Sequence, residues 1–413
     1  MRKIIASLDI GDYTFKLAIG EVLKGKLNVL ACVETPSRGV KKGFVINIES
    51  TTLALQELFD KAEDVVGIRP RKVLISVPSN NVEFFLAEGY ASINNENNLV
   101  GSNDIIKALQ SCVYNKLDGN RELVSILPTK FLINDTDIVD NPLGMEAYKL
   151  NVKAVIITVP KKNIVNIIRC LNNIGVKVID STLGALGDYY LFKNKEYDST
   201  VGAVINIGSS LTSVSIFNRG IMTNNEIIAV GGDLVDYDLV HNYKIKREDA
   251  NYLKEKLAIC DKNMTSVSES IVCETKNGEK VKINQYEASE IVINRLQEIL
   301  NLAKKQINLL TKKQISYIII TGGVSEALEF NSIVNNVFNN ACIGNVNIIG
   351  ARNNKYSTVL GLIKYYDSRL KLRNKDFSIY TIEEQEELSG IHKKINISEN
   401  SILGKLFGYF FDN

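Results

Sequence analysis

The feature that most constrains this chain is a strand layout that occurs twice. Residues 3–10 form a continuous apolar run, Lys-Ile-Ile-Ala-Ser-Leu-Asp-Ile, that ends at Gly11. Such a run predicts a buried strand entering a tight turn. Residues 15–23 and 26–33 follow as two more strands, joined near Gly25. The same order returns at Val201-Gly-Ala-Val-Ile-Asn-Ile-Gly208, then at 211–218 and 220–230. In both places an apolar strand closes on an acid or amide, then Ile-Gly, a polar turn and two further strands. An internal repeat of this size predicts two related α/β domains facing each other. With 413 residues, 45% of them hydrophobic, the chain has enough material for two or more cores.

Between the repeats, residues 51–66 have helical spacing and residues 73–78 read as a short buried strand. Residues 84–160 then break the pattern. Strand-like runs at 84–91, 122–131 and 147–159 surround one helix at 102–114, the composition of a small inserted α+β subdomain. A helix at 163–173 and a strand at 176–180 resume the first pattern. Helices are expected at 246–258 and 285–311, and residues 315–323 are a third strand running into Gly322 and Gly323. The expected organisation is a first subdomain split over 1–83 and 161–195 with a closing helix near 356–370, and the insertion at 84–160. A second domain over 196–355 carries a helical part near 236–314. A charged linker at 371–397 and a terminal helix at 398–413 complete the chain.

That terminal segment is unusual. Ile402, Leu406 and Phe410 recur every four residues, as do Leu403, Phe407 and Phe411. As a helix it has a broad aromatic face, is too short to span a bilayer and suits a membrane surface. Lys405 alone adds positive charge, so insertion would rest on the rings rather than on anionic lipid. The bland reading is a terminal helix docked on its own core.

Bulk numbers exclude several classes. Lys plus Arg (49) nearly balances Asp plus Glu (47), so there is no charge footprint for nucleic acid. The six cysteines lack any CxxC pair, which points to reduced thiols and no zinc site. The two histidines have no neighbours at ligand spacing, so a histidine triad or metal centre is not expected. No signal peptide and no segment of transmembrane length is read.

Three glycine turns follow buried strands: Asp9-Ile-Gly-Asp-Tyr-Thr14, Asn206-Ile-Gly-Ser-Ser-Leu-Thr212 and Thr321-Gly-Gly323. Glycine lets backbone N–H groups close around a phosphate without a Cβ in the way. Asp9 is placed to hold a hydrated Mg²⁺, and Lys16 to reach a phosphate as a point charge. One such turn is ordinary punctuation, but three in this order, two of them heading repeated strand sets, point to a nucleotide cleft.

In this layout the chain resembles the actin-like ATPase superfamily, whose two phosphate loops and adenosine-contacting Gly-Gly turn occur in the same order. Within it the chain is most similar to FtsA, a bacterial cell-division family. Further motifs carry the likeness: Pro36-Ser-Arg-Gly-Val-Lys-Lys-Gly43, Leu127-Pro128 with Asn141-Pro-Leu-Gly144, Ala250-Asn-Tyr-Leu-Lys254 and Tyr356-Ser-Thr-Val-Leu-Gly361. The charged linker with an amphipathic helix resembles the family's tail. The resemblance implies an actin-like two-domain fold and an ATP site at Asp9, Gly11, Thr14, Lys16, Asn206, Gly208, Ser209, Ser210, Lys254, Gly322 and Gly323, with Asp9 toward Mg²⁺. It implies assembly into filaments, recruitment of the division tubulin FtsZ and of later division proteins, and attachment to the cytoplasmic face of the membrane through residues 398–413.

Two departures bear on activity. Asn206 stands where the family's second loop usually begins with Asp, and Asp12 stands where a small residue is usual. ATP binding with slow or lost hydrolysis is the expectation, and no catalytic residue is singled out. Two other readings belong to the same superfamily. A soluble small-molecule kinase needs a catalytic Asp in the cleft and no aromatic tail. A PilM-type pilus assembly protein shares the insertion but ends without such a helix.

Overall fold

The computed structural model describes residues 2–114 and 116–394, with side chains to Leu388. Its organising fact is that one topology is built twice. The first sheet has the order Lys177–Leu183, Lys72–Val77, Lys3–Ile10, Thr14–Leu23, Lys26–Pro36. The second has Ala341–Ile343, Tyr317–Thr321, Val201–Ile207, Thr212–Asn218, Ile221–Ile228. In each, three strands form an antiparallel meander, and two later strands join in parallel beside the first.

Each meander leads to a long helix that returns the chain for its parallel strand. The Ile48–Val66 helix starts at Asn47, whose side chain accepts from the Ser50 N–H at 2.9 Å, and stops at Gly67 with φ of +86°. Its buried face is Ala54, Leu55, Leu58, Phe59 and Ala62, spaced to pack on one side of the sheet. The Gln285–Leu310 helix does the same for the second sheet and is capped by Asn284 on the Glu287 N–H at 2.8 Å. The helical part of the second domain also holds helices Gly232–Tyr243 and Arg247–Tyr252, and a small hairpin of Ser270–Glu274 with Lys280–Asn284. Sequence periodicity had marked neither the first of these helices nor the hairpin.

The insertion is an antiparallel sheet in the order Glu83–Ser92, Lys149–Pro160, Arg121–Ile133, Asp137–Val139. The Ser102–Val113 helix lies across one face. It comes so close that a Cβ on Gly89 would strike the Ala108 carbonyl. Val124, Leu127, Val155 and Ile157 join the first subdomain's core, so the insertion shares that core rather than hanging from it.

The helices Gly184–Phe192 and Ser357–Leu372 cross between the two halves. At the crossing Gly361 rests against the Gly187 carbonyl, leaving no room for a Cβ. The linker expected at 371–397 needs correction. The Ser357–Leu372 helix runs into it, and Phe377, Ile379, Tyr380 and Leu388 dock on the first core. The Ile379 N–H donates to Ile4 O at 2.9 Å, and the Tyr380 hydroxyl to Ile68 O at 2.9 Å. The charge density of this stretch hid four apolar side chains; its glutamates at 383, 386 and 387 stay exposed. The terminal helix reading, with Ile402, Leu403, Leu406, Phe407, Phe410 and Phe411, lies outside the described residues.

Candidate functional site

The repeated topology places the first and second glycine turns at equivalent ends of the two sheets. Asp9 pairs across its strand with Lys16, and Asn206 with Ser213, so each turn is the tip of a hairpin. At Gly11 an added Cβ would lie 2.9 Å from Thr14 O and 3.8 Å from the Lys16 Nζ. At Gly208 it would lie 3.1 Å from Leu211 O. These turns have bare backbone at their tips and an ammonium over the first, which is the chemistry of a phosphate cradle.

The turns meet across the cleft. The Ser210 hydroxyl of the second donates to the Asp12 carboxylate of the first. Asp12 also accepts from the Gly43 N–H at 2.9 Å. Its side chain is therefore turned toward the Lys42–Gly43 tip of a short hairpin rather than into open cleft. Burial pushes the Asp12 carboxyl up, the Gly43 N–H opposes the shift, and nearby Asp233 and Asp9 reinforce it. Tyr13, beside it, faces the carboxylates of Glu255, Asp236 and Asp233 on the other domain, and its hydroxyl is pushed up by burial first and then by those charges.

A fourth glycine turn, Gly231–Gly232, packs on the second. The Gly232 N–H donates to Gly208 O at 3.0 Å and the Asp233 N–H to Ser209 O at 2.8 Å. The Ser209 hydroxyl returns a bond to Asp233 at 2.8 Å, and Arg247 pairs with the same carboxylate oxygen at 2.9 Å. A Cβ on Gly232 would sit 3.8 Å from the Lys254 Nζ, which Asp236 holds at 2.7 Å. Burial pushes the Asp236 carboxyl up and Lys254 pulls it back. Lys254 thus stands at the start of the Gly232–Tyr243 helix, where its ammonium and the helix dipole favour an anion.

The third turn completes the arrangement. Gly322 has φ of +94°, and a Cβ there would lie 2.6 Å from the Asn206 Oδ1 and 2.5 Å from Ile207 O. Gly323 faces Lys355, whose ammonium pairs with Glu34 at 2.7 Å. Asp9 accepts from the Ser76 hydroxyl at 2.6 Å. Asn206 does not point at a metal position; its amide Nδ2 donates to Asp188 at 2.7 Å.

The first and second turns thus meet through Asp12 and Ser210, Gly232 brings Lys254 beside the second, and Gly322 packs on Asn206, while Asp9 bonds Ser76 within its own sheet. Sequence reasoning missed Gly231 and Gly232, Asp233, Asp236, Lys355 and Asp188. A signal existed for the first pair: Val230-Gly-Gly232 follows a strand just as Thr321-Gly-Gly323 does. None existed for Asp188, a lone acid in the middle of a helix.

Comparison with known proteins decides the family. The model for "Cell division protein FtsA" matches residues 203–361, and the model for "SHS2 domain inserted in FTSA" matches residues 79–158. Together they cover more than half of the chain. The chain belongs to the FtsA family. It is a cell division protein of the actin-like fold. The FtsA of Bacillus subtilis (strain 168) is 25% identical over 385 residues, covering 92% of this chain and 88% of the relative. The FtsA of Borreliella burgdorferi is 25% identical over 420 residues, covering 99% and 98%. Among solved structures, a PilM–PilN type IV pilus biogenesis complex matches with a TM-score of 0.57 at 13% identity, covering 87% of this chain and 97% of that one. MreB5 of Spiroplasma citri bound to ADP matches with a TM-score of 0.55 at 12% identity, covering 90% and 99%. At such identities these last two likenesses show the fold alone. Among the described residues of this FtsA relative, no helix is long and apolar enough to cross a membrane.

Proposed function

We propose that this FtsA-family chain binds ATP between its two domains, hydrolyses it slowly or not at all, and links a polymer of FtsZ to the membrane through residues 398–413. The observation that carries the nucleotide part is the opposed pair of glycine turns joined by Asp12 and Ser210 and flanked by the ammonium groups of Lys16 and Lys254. Phosphates would lie along bare backbone at Gly11 and Gly208, with the nucleoside toward Lys254, Gly322 and Gly323. MreB5 of Spiroplasma citri was solved with ADP and with AMPPNP, which supports a nucleotide in a cleft of this fold.

Mg²⁺ fits the same cleft. This ion takes one or two carboxylates and completes its shell with water and phosphate oxygens. Asp9, on the first turn, would hold it, and the ion would neutralise charge on the phosphates. Asn206 brings no second charge, and Asp12 is occupied by Gly43 and Ser210. Slow turnover follows, because phosphoryl transfer depends on metal and a positioned water.

The test is titration calorimetry of the full chain with ATP and Mg²⁺, paired with a steady-state phosphate-release assay. Lys16→Ala is expected to weaken binding about tenfold or more, the worth of one charged phosphate contact. Turnover is expected well below about 1 s⁻¹. A chain that binds no ATP overturns the nucleotide reading, and kinase-like turnover overturns the claim of slow hydrolysis. Self-assembly, with the insertion at a contact between copies, would be read by pelleting with ATP. Recruitment of FtsZ and later division proteins would be read by co-pelleting.

A further inference from the structure

Asp188 is a carboxylate with 1% exposure in the Gly184–Phe192 helix. It accepts from three donors: the Ser357 hydroxyl at 2.7 Å, the Thr358 hydroxyl at 2.9 Å and the Asn206 amide at 2.7 Å. The donors come from two separate segments. Asn206 ends the strand that carries the second glycine turn, and Ser357 and Thr358 open the closing helix. Burying a carboxylate is costly unless it is hydrogen-bonded, and these three donors offset part of that cost.

The repeat shows what is special about this contact. In the first half, Asp9 bonds Ser76, its neighbour on the adjoining parallel strand. In the second half, Asn206 pairs in register with Thr321 on the corresponding parallel strand. Yet the Thr321 Oγ1 is buried with no partner, because the Asn206 amide is drawn to Asp188 instead. That leaves the Asn206 Oδ1 at the Gly322 turn, 2.6 Å from where a Cβ would lie. Asp188 also fixes the start of the closing helix, and the preceding Lys355 faces Gly323.

We propose that Asp188 is a positioning residue of the nucleotide cleft, which sets the second and third glycine turns against each other by orienting the Asn206 amide. It touches no ligand itself; it acts through Asn206. The inference deepens the nucleotide-binding reading above and rests on it.

The experiment is a double-mutant cycle in ATP affinity, measured calorimetrically on the full chain. Asp188→Ala and Asn206→Ala are each expected to weaken ATP about tenfold, as loss of one orienting hydrogen bond does. In the Asn206→Ala background, Asp188→Ala is expected to add little, because the residue acts through that amide. Asp188→Asn keeps an acceptor for the Asn206 N–H and is expected to recover most of the affinity. It also serves if the alanine variant fails to fold, since it is then compared with wild type in both Asn206 backgrounds. Additive losses, or unchanged affinity in folded Asp188 variants, overturn the positioning role while the ATP site stands. A wild-type chain that binds no ATP overturns the site reading and this role with it.

Discussion

Asn206 illustrates how one amide changes a cleft. Replacing it by aspartate would set a second carboxylate 2.7 Å from Asp188, at a site shielded from water. Two carboxylates at that distance do not both ionise. Asn206→Asp is therefore expected to lose about 2–3 kcal/mol of stability at pH 8, equal to roughly two pKa units of forced protonation. It should recover much of this at pH 5, as urea melts at the two values will show; equal losses at both would refute the clash. Asp188 itself gives a second prediction. Burial pushes its carboxyl up from 3.8 to about 6, against its three donors and with help from Asp9. The folded chain then holds a proton that the unfolded chain has released between about pH 4 and 6. Stability from this group falls as pH rises through that window and is flat above it, by up to about 3 kcal/mol. Asp188→Asn should gain stability over wild type as pH climbs from 4 to 6, while keeping most of its ATP affinity. A difference that does not change with pH would show that the carboxyl titrates normally. Asp12 and Asp236, also raised by burial, leave a residual slope of the same sign.

At the scale of elements, the decisive contact is the crossing of Gly184–Phe192 with Ser357–Leu372. Gly361 lies on the Gly187 carbonyl, and a Cβ on Gly187 would lie 2.6 Å from Thr358 O. These glycines are needed for close approach, not for an unusual backbone angle. Because Ser357 and Thr358 reach Asp188 only at this spacing, the crossing and the cleft are one unit. Gly361→Ala must push two helices apart and is expected to cost roughly 2–3 kcal/mol, with loss of ATP affinity alongside. An alanine variant with wild-type melting and affinity would show that the helices separate freely. Alanine is the better helix former by about 1 kcal/mol, so propensity alone predicts the opposite sign.

At the scale of the molecule, duplication creates a cleft and the additions dress it. Both sheets aim a hairpin tip at the same gap, so a polyanion can be held from two sides. The C-terminal stretch docks at the other end of the first sheet, on Ile4 and Ile68. Seven residue steps along the strand separate Ile4 from Gly11, or roughly 23 Å at about 3.3 Å each. Residues 377–380 therefore dock at the end of the subdomain remote from the nucleotide turns. If residues 398–413 bind lipid, the rings supply the free energy, since each large apolar side chain is worth roughly 1.5–3 kcal/mol when buried. Phe407→Glu with Phe410→Glu is then expected to move the protein from floated liposomes to the soluble fraction, with the melting temperature unchanged. Binding of wild type should vary little with salt, as only Lys405 is basic there. Continued flotation of the double variant on neutral liposomes would show that the tail is not the anchor.

Much of this protein is written locally. Buried strands are contiguous apolar runs, helices show their period, and a glycine after a strand marks a turn. Those signals expose the two meanders, the insertion and the turns at Gly11, Gly208 and Gly322 without coordinates. What needed tertiary structure is whatever depends on residues far apart in sequence. Asp12 looked like a misplaced charge until Gly43 and Ser210 supplied its bonds from 31 and 198 residues away. Asp188 gives no signal in the sequence, and only the fold closes three donors on it. Gly187 and Gly361 admit each other's helix backbone, a contact that only the packed helices reveal. Residues 377–388 looked like linker because they lie in a charged, poorly periodic stretch, while burial is decided by which side chains find a surface. Periodicity reports which face of an element is apolar. It carries no record of which faces meet, and in this chain the meeting faces place Asn206, Asp188 and the glycine turns in one cleft.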